Sequence, residues 1–250
     1  MKLKSYNQKL QLEKLNKDGF VIEKVFNNKL LNIFRNKLLM NLKKSAKKKS
    51  ISSIRNIKNL EEYFLVVSKD EHEILMDRET RTVKIQRSEV KLILNQRVKS
   101  LLSYYSDKEY YILRSDNKFS RRGREFKNFA GFRIVKPNSA KVAGYHSDHY
   151  NLQNFKFTIW VPLIGFNKKY SLGMIPGSHY YNHTKKHIIK NNTGSAQLFS
   201  KTYLKNFSKP FRPNLKPGEV IILHPYLIHG NARNLGKKIR ASLEIKVGTK

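Results

Sequence analysis

The sequence predicts a mainly β fold with flanking helices: a sandwich or jelly roll with an N-terminal helical region packed outside it. Three observations lead there. Up to about residue 107, apolar residues recur at helical spacing. From residue 108 onward, short β-rich runs alternate with turn residues. The chain has 250 residues and no internal repeat, a length at which all-β proteins often form one domain. A single domain is therefore expected over 1–250, with a helical part over 1–107 and a β core over 108–250.

Residues 5–17 carry a helical pattern through Leu10, Leu12 and Leu15, and Asp18-Gly19 ends it. Gly19-Phe20-Val21-Ile22 reads as a short strand. Asn27 or Asn28 is placed to cap a second helix, whose Leu30, Leu31, Phe34, Leu38 and Leu42 share one face and which runs into a lysine cluster. Residues 51–69 fit neither period. Glu89–Tyr105 predicts one helix, with Val90, Ile93, Leu94, Arg97, Val98, Leu101, Leu102 and Tyr105 in a stripe. Strands are expected at 109–114, 129–136, 141–146, 155–163, 172–176, 219–224 and 239–247. The breaks between them include Pro137-Asn138, Gly165, Pro176-Gly177 and Pro217-Gly218. Residues 183–216 are polar, basic and broken by proline, and read as a long insertion between core strands.

Composition narrows the chemistry. With no cysteine, disulfides, thiolate catalysis and zinc-thiolate sites are excluded, so any metal must be held by histidine and carboxylate. No run approaches the roughly 18 apolar residues of a membrane span. The basic Met1-Lys2-Leu3-Lys4 is not followed by an apolar segment, so no signal peptide is expected and a cytoplasmic location is. The net charge of +33 suits an anionic partner. However, the chain has 37 Lys against 14 Arg, spread along its length apart from Lys43-Lys44 and Lys47-Lys48-Lys49. Nucleic-acid modules cluster Arg and Lys among aromatics, so compositional bias is the simpler account and a specific nucleic-acid partner is not expected.

Against that background four residues stand out. His146-Ser147-Asp148 supplies an imidazole and a carboxylate, His229 a second imidazole, and Arg240 a permanent cation. Two histidines and one carboxylate are the donor set of the facial triad that holds non-haem Fe(II) with open positions. His-x-Asp alone is weak: 8 His and 6 Asp in 250 residues give on the order of 0.2 such pairs by chance. The pattern gains weight from position, because His146 ends one expected strand, His229 ends another and Arg240 opens the polar face of the last. Alternate strand residues share a face, so His146 and Asp148 point the same way. Along 239–247, Ile239, Ala241, Leu243, Ile245 and Val247 alternate with Arg240, Ser242, Glu244 and Lys246. The polar face, with Trp160 from the neighbouring run, lines either a cavity or solvent. The other histidines have plainer readings. His72 is a solvated helix residue and His224 is structural. His149 follows the motif and faces away, towards substrate or the surface, and His183 and His187, spaced four apart as a metal pair on a helix would be, sit in a loop context.

At these residues the chain resembles the phytanoyl-CoA dioxygenase family of Fe(II)/2-oxoglutarate oxygenases. The resemblance spans roughly 129–247, with an echo at Gly19-Phe20-Val21-Ile22-Glu23. It is carried by His146-Ser147-Asp148, Phe157-Thr158-Ile159-Trp160-Val161-Pro162-Leu163, Met174-Ile175-Pro176-Gly177-Ser178-His179 and Lys216-Pro217-Gly218-Glu219-Val220. It implies a double-stranded β-helix (jelly roll) core. It also implies Fe(II) at His146, Asp148 and His229, 2-oxoglutarate on Arg240 with Trp160 and Asn231 beside it, and O2 as the oxidant. The family often has Ser where Asn231 stands. Ser242 joins the co-substrate residues through the face it shares with Arg240. Related halogenases leave the carboxylate position empty, so Asp148 points to hydroxylation or another C–H oxidation.

The expected substrate is a small molecule, anionic or a carbohydrate. The carbohydrate reading rests on similarity to bacterial family members from surface-carbohydrate gene clusters. Two other functions compete: a basic nucleic-acid-binding protein, and a non-oxidative cupin-like sugar-binding protein, which has no need of Arg240.

Overall fold

The computed structural model describes residues 6–77, 79–105, 108–113, 129–138, 144–148, 155–183, 187–189, 198–230 and 233–249. Helix α1 (Tyr6–Asp18) leads into β1 (Phe20–Lys24) through Gly19, whose φ of +79° reverses the chain. Helix α2 (Asn28–Lys48) starts where Asn27 accepts a hydrogen bond from Leu30 N at 2.8 Å, the expected cap. The ambiguous stretch contains the short helix α3 (Tyr63–Val66); α4 (Lys69–Leu75) begins at its end, and strand β2 (Thr82–Lys84) follows.

The single helix expected over Glu89–Tyr105 is instead two, α5 (Arg87–Ile93) and α6 (Gln96–Leu102). Asn95 breaks it: its side chain accepts from Val98 N at 3.1 Å and so caps a new helix rather than continuing the old one. The stripe survives the break, since Ile93, Leu94, Val98, Leu101 and Leu102 are all buried. Arg97 lies outside that core and pairs with the buried Glu23.

The remaining strands are β3 (Tyr110–Leu113), β4 (Phe129–Val135), β5 (Tyr145–His146), β6 (Phe155–Ile164), β7 (Gly173–Met174), β8 (Ile188–Ile189), β9 (Leu198–Phe199), β10 (Glu219–Leu223), β11 (His229–Gly230) and β12 (Arg240–Thr249). Helix α7 (Lys201–Leu204) follows β9. A seven-stranded antiparallel sheet runs β1-β10-β6-β12-β4-β2, with β3 also on β12, and a smaller sheet runs β5-β11-β7. This is the expected jelly roll. Of the predicted run 141–146, residues 141–143 lie outside the described residues. The run 172–176 reduces to Gly173–Met174, and β2, β8 and β9 were not anticipated.

Alternation along the large sheet sorts the core. Phe157, Ile159 and Val161 of β6, with Ala241, Leu243, Ile245 and Val247 of β12, pack outward against Leu30, Phe34 and Leu38 of α2. Phe20, Trp160, Leu172, Met174, Ile221, Leu223 and Leu227 fill the space between the two sheets. Pro162 cannot donate to a ladder, and the register slips beside it: Ala241 faces Ile164 while Ser242 faces Pro162. From the insertion, Phe199 joins Ile175 and Ile228 in a third cluster, with Tyr203 and Phe207 packed against it.

His72 is not solvated. It is half-buried, its Nδ1 bonds Tyr63 Oη at 3.0 Å, and burial, helped by Lys136, lowers its pKa to about 4. Burial and the neighbouring His179 do the same to His224, also to about 4. Each imidazole therefore contributes stability above its unfolded pKa of 6.5, and that contribution is lost as pH falls toward the folded value. Stability is expected to decline from about pH 7 to about pH 4, and His72→Gln to flatten that slope in urea titrations. A slope unchanged by the substitution would contradict this assignment.

Candidate metal centre

Two strand pairings create the site. His229 of β11 lies directly opposite His146 of β5, with Met174 of β7 on its other side. Asp148 follows β5, and its N–H donates to Pro225 O at 2.9 Å, tying it to the turn before β11. Ser178 of the Pro-Gly-Ser-His turn accepts from Ile228 N at 2.9 Å and so braces the residue preceding His229. One ligand atom from each of His146, Asp148 and His229 lies within 4.8 Å of the others. The imidazole centroids are 4.6 Å apart, and His229 Nε2 is 3.5 Å from Asp148 Oδ2.

Backbone carbonyls orient both rings. His146 Nδ1 bonds Gly144 O at 3.1 Å, and His229 Nδ1 bonds Leu227 O at 2.9 Å. A carbonyl only accepts, so each Nδ1 carries the proton and each Nε2 offers a lone pair. Burial, reinforced by His229, lowers the His146 pKa to about 4, which keeps the ring neutral near pH 7, the form a metal requires. Burial opposes ionisation of Asp148, but the Lys246 ammonium and the two imidazoles outweigh it and hold the carboxyl below its usual range. Gly230, at φ +137°, lets these strands close: a Cβ there would come 2.4 Å from Gly144 O and 3.2 Å from His146 Nδ1. Gly230→Ala should therefore lower the melting temperature and weaken metal binding by about tenfold or more, as loss of such orienting contacts does. Calorimetric titration with a divalent metal tests this, and unchanged affinity would refute it.

The polar face of β12 is interior rather than solvated. Arg240, Ser242 and Lys246 are buried, as are Thr158 and Trp160 on the matching face of β6. The loop before Arg240 is fixed by Asn234, whose Nδ2 donates to Val135 O at 3.0 Å and Lys238 O at 2.7 Å. Arg240 is 1% exposed, and its Nε, Nη1 and Nη2 have no hydrogen-bond partner among the described residues. Burial, then Arg133 and Arg212, lower its pKa to about 9, which leaves it charged at neutral pH. Arg212 in turn bonds Tyr145, the neighbour of His146, so a cationic region adjoins the triad. Unpaired buried nitrogens beside two further guanidiniums suit an anion with a planar carboxylate.

Trp160 belongs to the apolar cluster between the sheets, and Ser242 sits opposite Arg133 and Pro162. Asn231 and His149 lie outside the described residues. His183 and His187 do not form a metal pair. His183 donates Nε2–H to Tyr226 O and bonds Tyr203 Oη, both at 2.9 Å, while His187 stacks on Tyr203. A groove lined by Tyr180, Tyr181 and Phe207 holds none of the predicted site residues.

Sequence reasoning missed Lys246 and Thr158 as members of the site. Thr158 Oγ1 donates to Asp148 Oδ2 at 2.6 Å, and the Lys246 ammonium touches the same oxygen. Their signal was the period-two face already noted for Arg240 and Ser242.

A family model described as Phytanoyl-CoA dioxygenase (PhyH) matches residues 15–242. Among solved structures, the non-heme alpha ketoglutarate dependent epimerase SnoN from nogalamycin biosynthesis is similar at a TM-score of 0.59 and 13% identity, over 98% of this chain and 84% of that one. The carbocyclase SnoK from the same biosynthesis is similar at 0.58 and 11%, over 99% and 85%. EctD from S. alaskensis with bound Fe is similar at 0.60 and 16%, over 96% and 76%. These likenesses show a shared fold. No curated protein sequence matches the chain. Among the described residues, no helix is long and apolar enough to cross a membrane.

Proposed function

The chain belongs to the phytanoyl-CoA dioxygenase family, and from that premise we propose that it is a non-haem Fe(II)- and 2-oxoglutarate-dependent dioxygenase that hydroxylates a C–H bond of a small organic substrate. In this reading His146, Asp148 and His229 hold the iron. Arg240 takes the distal carboxylate of 2-oxoglutarate, with Trp160, Ser242 and Asn231 beside it.

The observation that carries the proposal is the Arg240 guanidinium, buried with no hydrogen-bond partner for any of its three nitrogens among the described residues, on the strand whose Lys246 touches Asp148 of the triad. A buried charge without a partner costs several kcal/mol, and a carboxylate delivered by a ligand offsets that cost. A dicarboxylate suits both ends of the site: one end matches the guanidinium fork, the other the open positions of a three-residue metal centre.

When bound, iron with 2-oxoglutarate and O2 supplies the oxidising power. The chain contributes orientation and dryness. Carbonyl-anchored imidazoles present Nε2, Thr158 and Lys246 hold Asp148, and Phe20, Trp160, Leu172 and Leu227 exclude water from the inter-sheet space. The carboxylate at position 148 favours hydroxylation. SnoN is an epimerase and SnoK a carbocyclase on the same fold, so the outcome depends on how a substrate C–H bond is placed.

The substrate class we favour is a surface carbohydrate or its activated precursor, supported by the resemblance to family members from surface-carbohydrate gene clusters. Iron-reloaded protein should convert 2-oxoglutarate to succinate, and a panel of sugars, nucleotide-linked sugars and CoA thioesters should identify a product heavier by one oxygen atom. If metal-loaded protein neither binds nor turns over 2-oxoglutarate, the assignment fails.

A further inference from the structure

Building on the proposed function, we propose that Lys246 is a positioning residue that fixes how Asp148 meets the metal and sets the charge of the loaded centre, trading affinity for the metal ion against affinity for its anionic co-substrate. Lys246 is 5% exposed. Its ammonium touches Asp148 Oδ2, and it reaches Thr158 Oγ1 at 2.9 Å and Glu244 Oε1 at 3.0 Å. The arrangement follows from register. Lys246 pairs with Thr158 across β12 and β6, so the two side chains leave the same inner face and converge on one carboxylate oxygen.

That oxygen, Oδ2, is also the one 3.5 Å from His229 Nε2. A metal ion held by Asp148 and His229 would therefore sit close to a fixed positive charge. Asp148 supplies one negative charge to the pocket and Lys246 cancels it, while Glu244, with 40% of its side chain exposed, compensates only in part. A divalent ion bound there would keep most of its charge, and the loaded centre would attract a dianion strongly. Like charges at such separations repel appreciably in a water-poor interior, which weakens metal binding in the absence of co-substrate.

This division of labour has a signature that a purely structural role lacks: the two affinities move in opposite directions. Metal-stripped full-length protein is titrated calorimetrically with Mn(II), and the Mn(II)-loaded protein is then titrated with 2-oxoglutarate. Lys246→Met should bind Mn(II) about tenfold tighter and 2-oxoglutarate about tenfold weaker. Lys246→Arg keeps the charge and should stay within about threefold of the parent for both. Glu244→Gln adds net positive charge at a half-exposed position that tolerates substitution, and so carries the test if Lys246→Met does not fold. It should shift both affinities the other way, by about threefold.

A parallel loss of both affinities in Lys246→Met, or a Glu244→Gln variant without opposed shifts, overturns the proposal. If the parent protein binds both probes and the variants show no opposed shift, this inference alone fails. If the parent binds neither, the functional assignment itself fails, and this inference with it.

Discussion

Arg240→Met should give a more stable ligand-free protein that no longer holds 2-oxoglutarate. The two effects have one cause. In the ligand-free chain the guanidinium is desolvated with no hydrogen-bond partner among the described residues, and Arg133 and Arg212 add like charge. Replacing a buried, uncompensated charge by an apolar side chain of similar length removes a cost of about several kcal/mol, so the melting temperature should rise by several degrees. The same substitution deletes a bidentate, charge-assisted pair with the co-substrate. At about 1.5–3 kcal/mol per hydrogen bond, 2-oxoglutarate affinity should fall by about two to four orders of magnitude. Metal affinity should change little, because Arg240 is not among the three clustered ligands. Thermal melts and calorimetric titrations of one preparation read all three quantities. Undiminished 2-oxoglutarate binding would favour the cupin-like sugar-binding reading.

Alanine at His146 or at Asp148 should reduce succinate formation to background after iron reloading, yet the two variants should differ in stability. His146 is neutral in the fold, its pKa lowered to about 4 by burial, so its loss removes a ligand and some packing. Asp148 is half of a buried ion pair whose partner, Lys246, is equally enclosed. Removing one member strands the other charge, at a cost of about 3–5 kcal/mol. Asp148→Ala should therefore unfold at markedly lower urea than His146→Ala. Adding Lys246→Met should restore much of that stability without restoring turnover. Activity in either single variant, or equal stability of the two, would contradict the account.

Several elements, and the strand-end positions of His146 and His229, were legible in the sequence because they depend on local rules. The Asn27 cap, the apolar stripe of α2 and the alternation in β6 and β12 are set by residues a few positions apart. The break at Asn95 was less visible, since an unbroken apolar stripe masked a competing cap. His72 looked like a solvated residue, and His183 like a loop residue, for a related reason: their partners Tyr63, Tyr203 and Tyr226 are brought to them only by packing.

By itself the sequence determined which side chains lie on which face of each strand, and that two histidines, a carboxylate and an arginine stand at strand ends. A two-residue period forces those assignments without reference to the rest of the chain. Only the tertiary structure decided that the polar face of the last strand turns inward, leaving Arg240 buried without a hydrogen-bond partner among the described residues and Lys246 against Asp148. Burial and ion pairing depend on what another sheet or strand brings opposite, and residues far apart in the chain supply it.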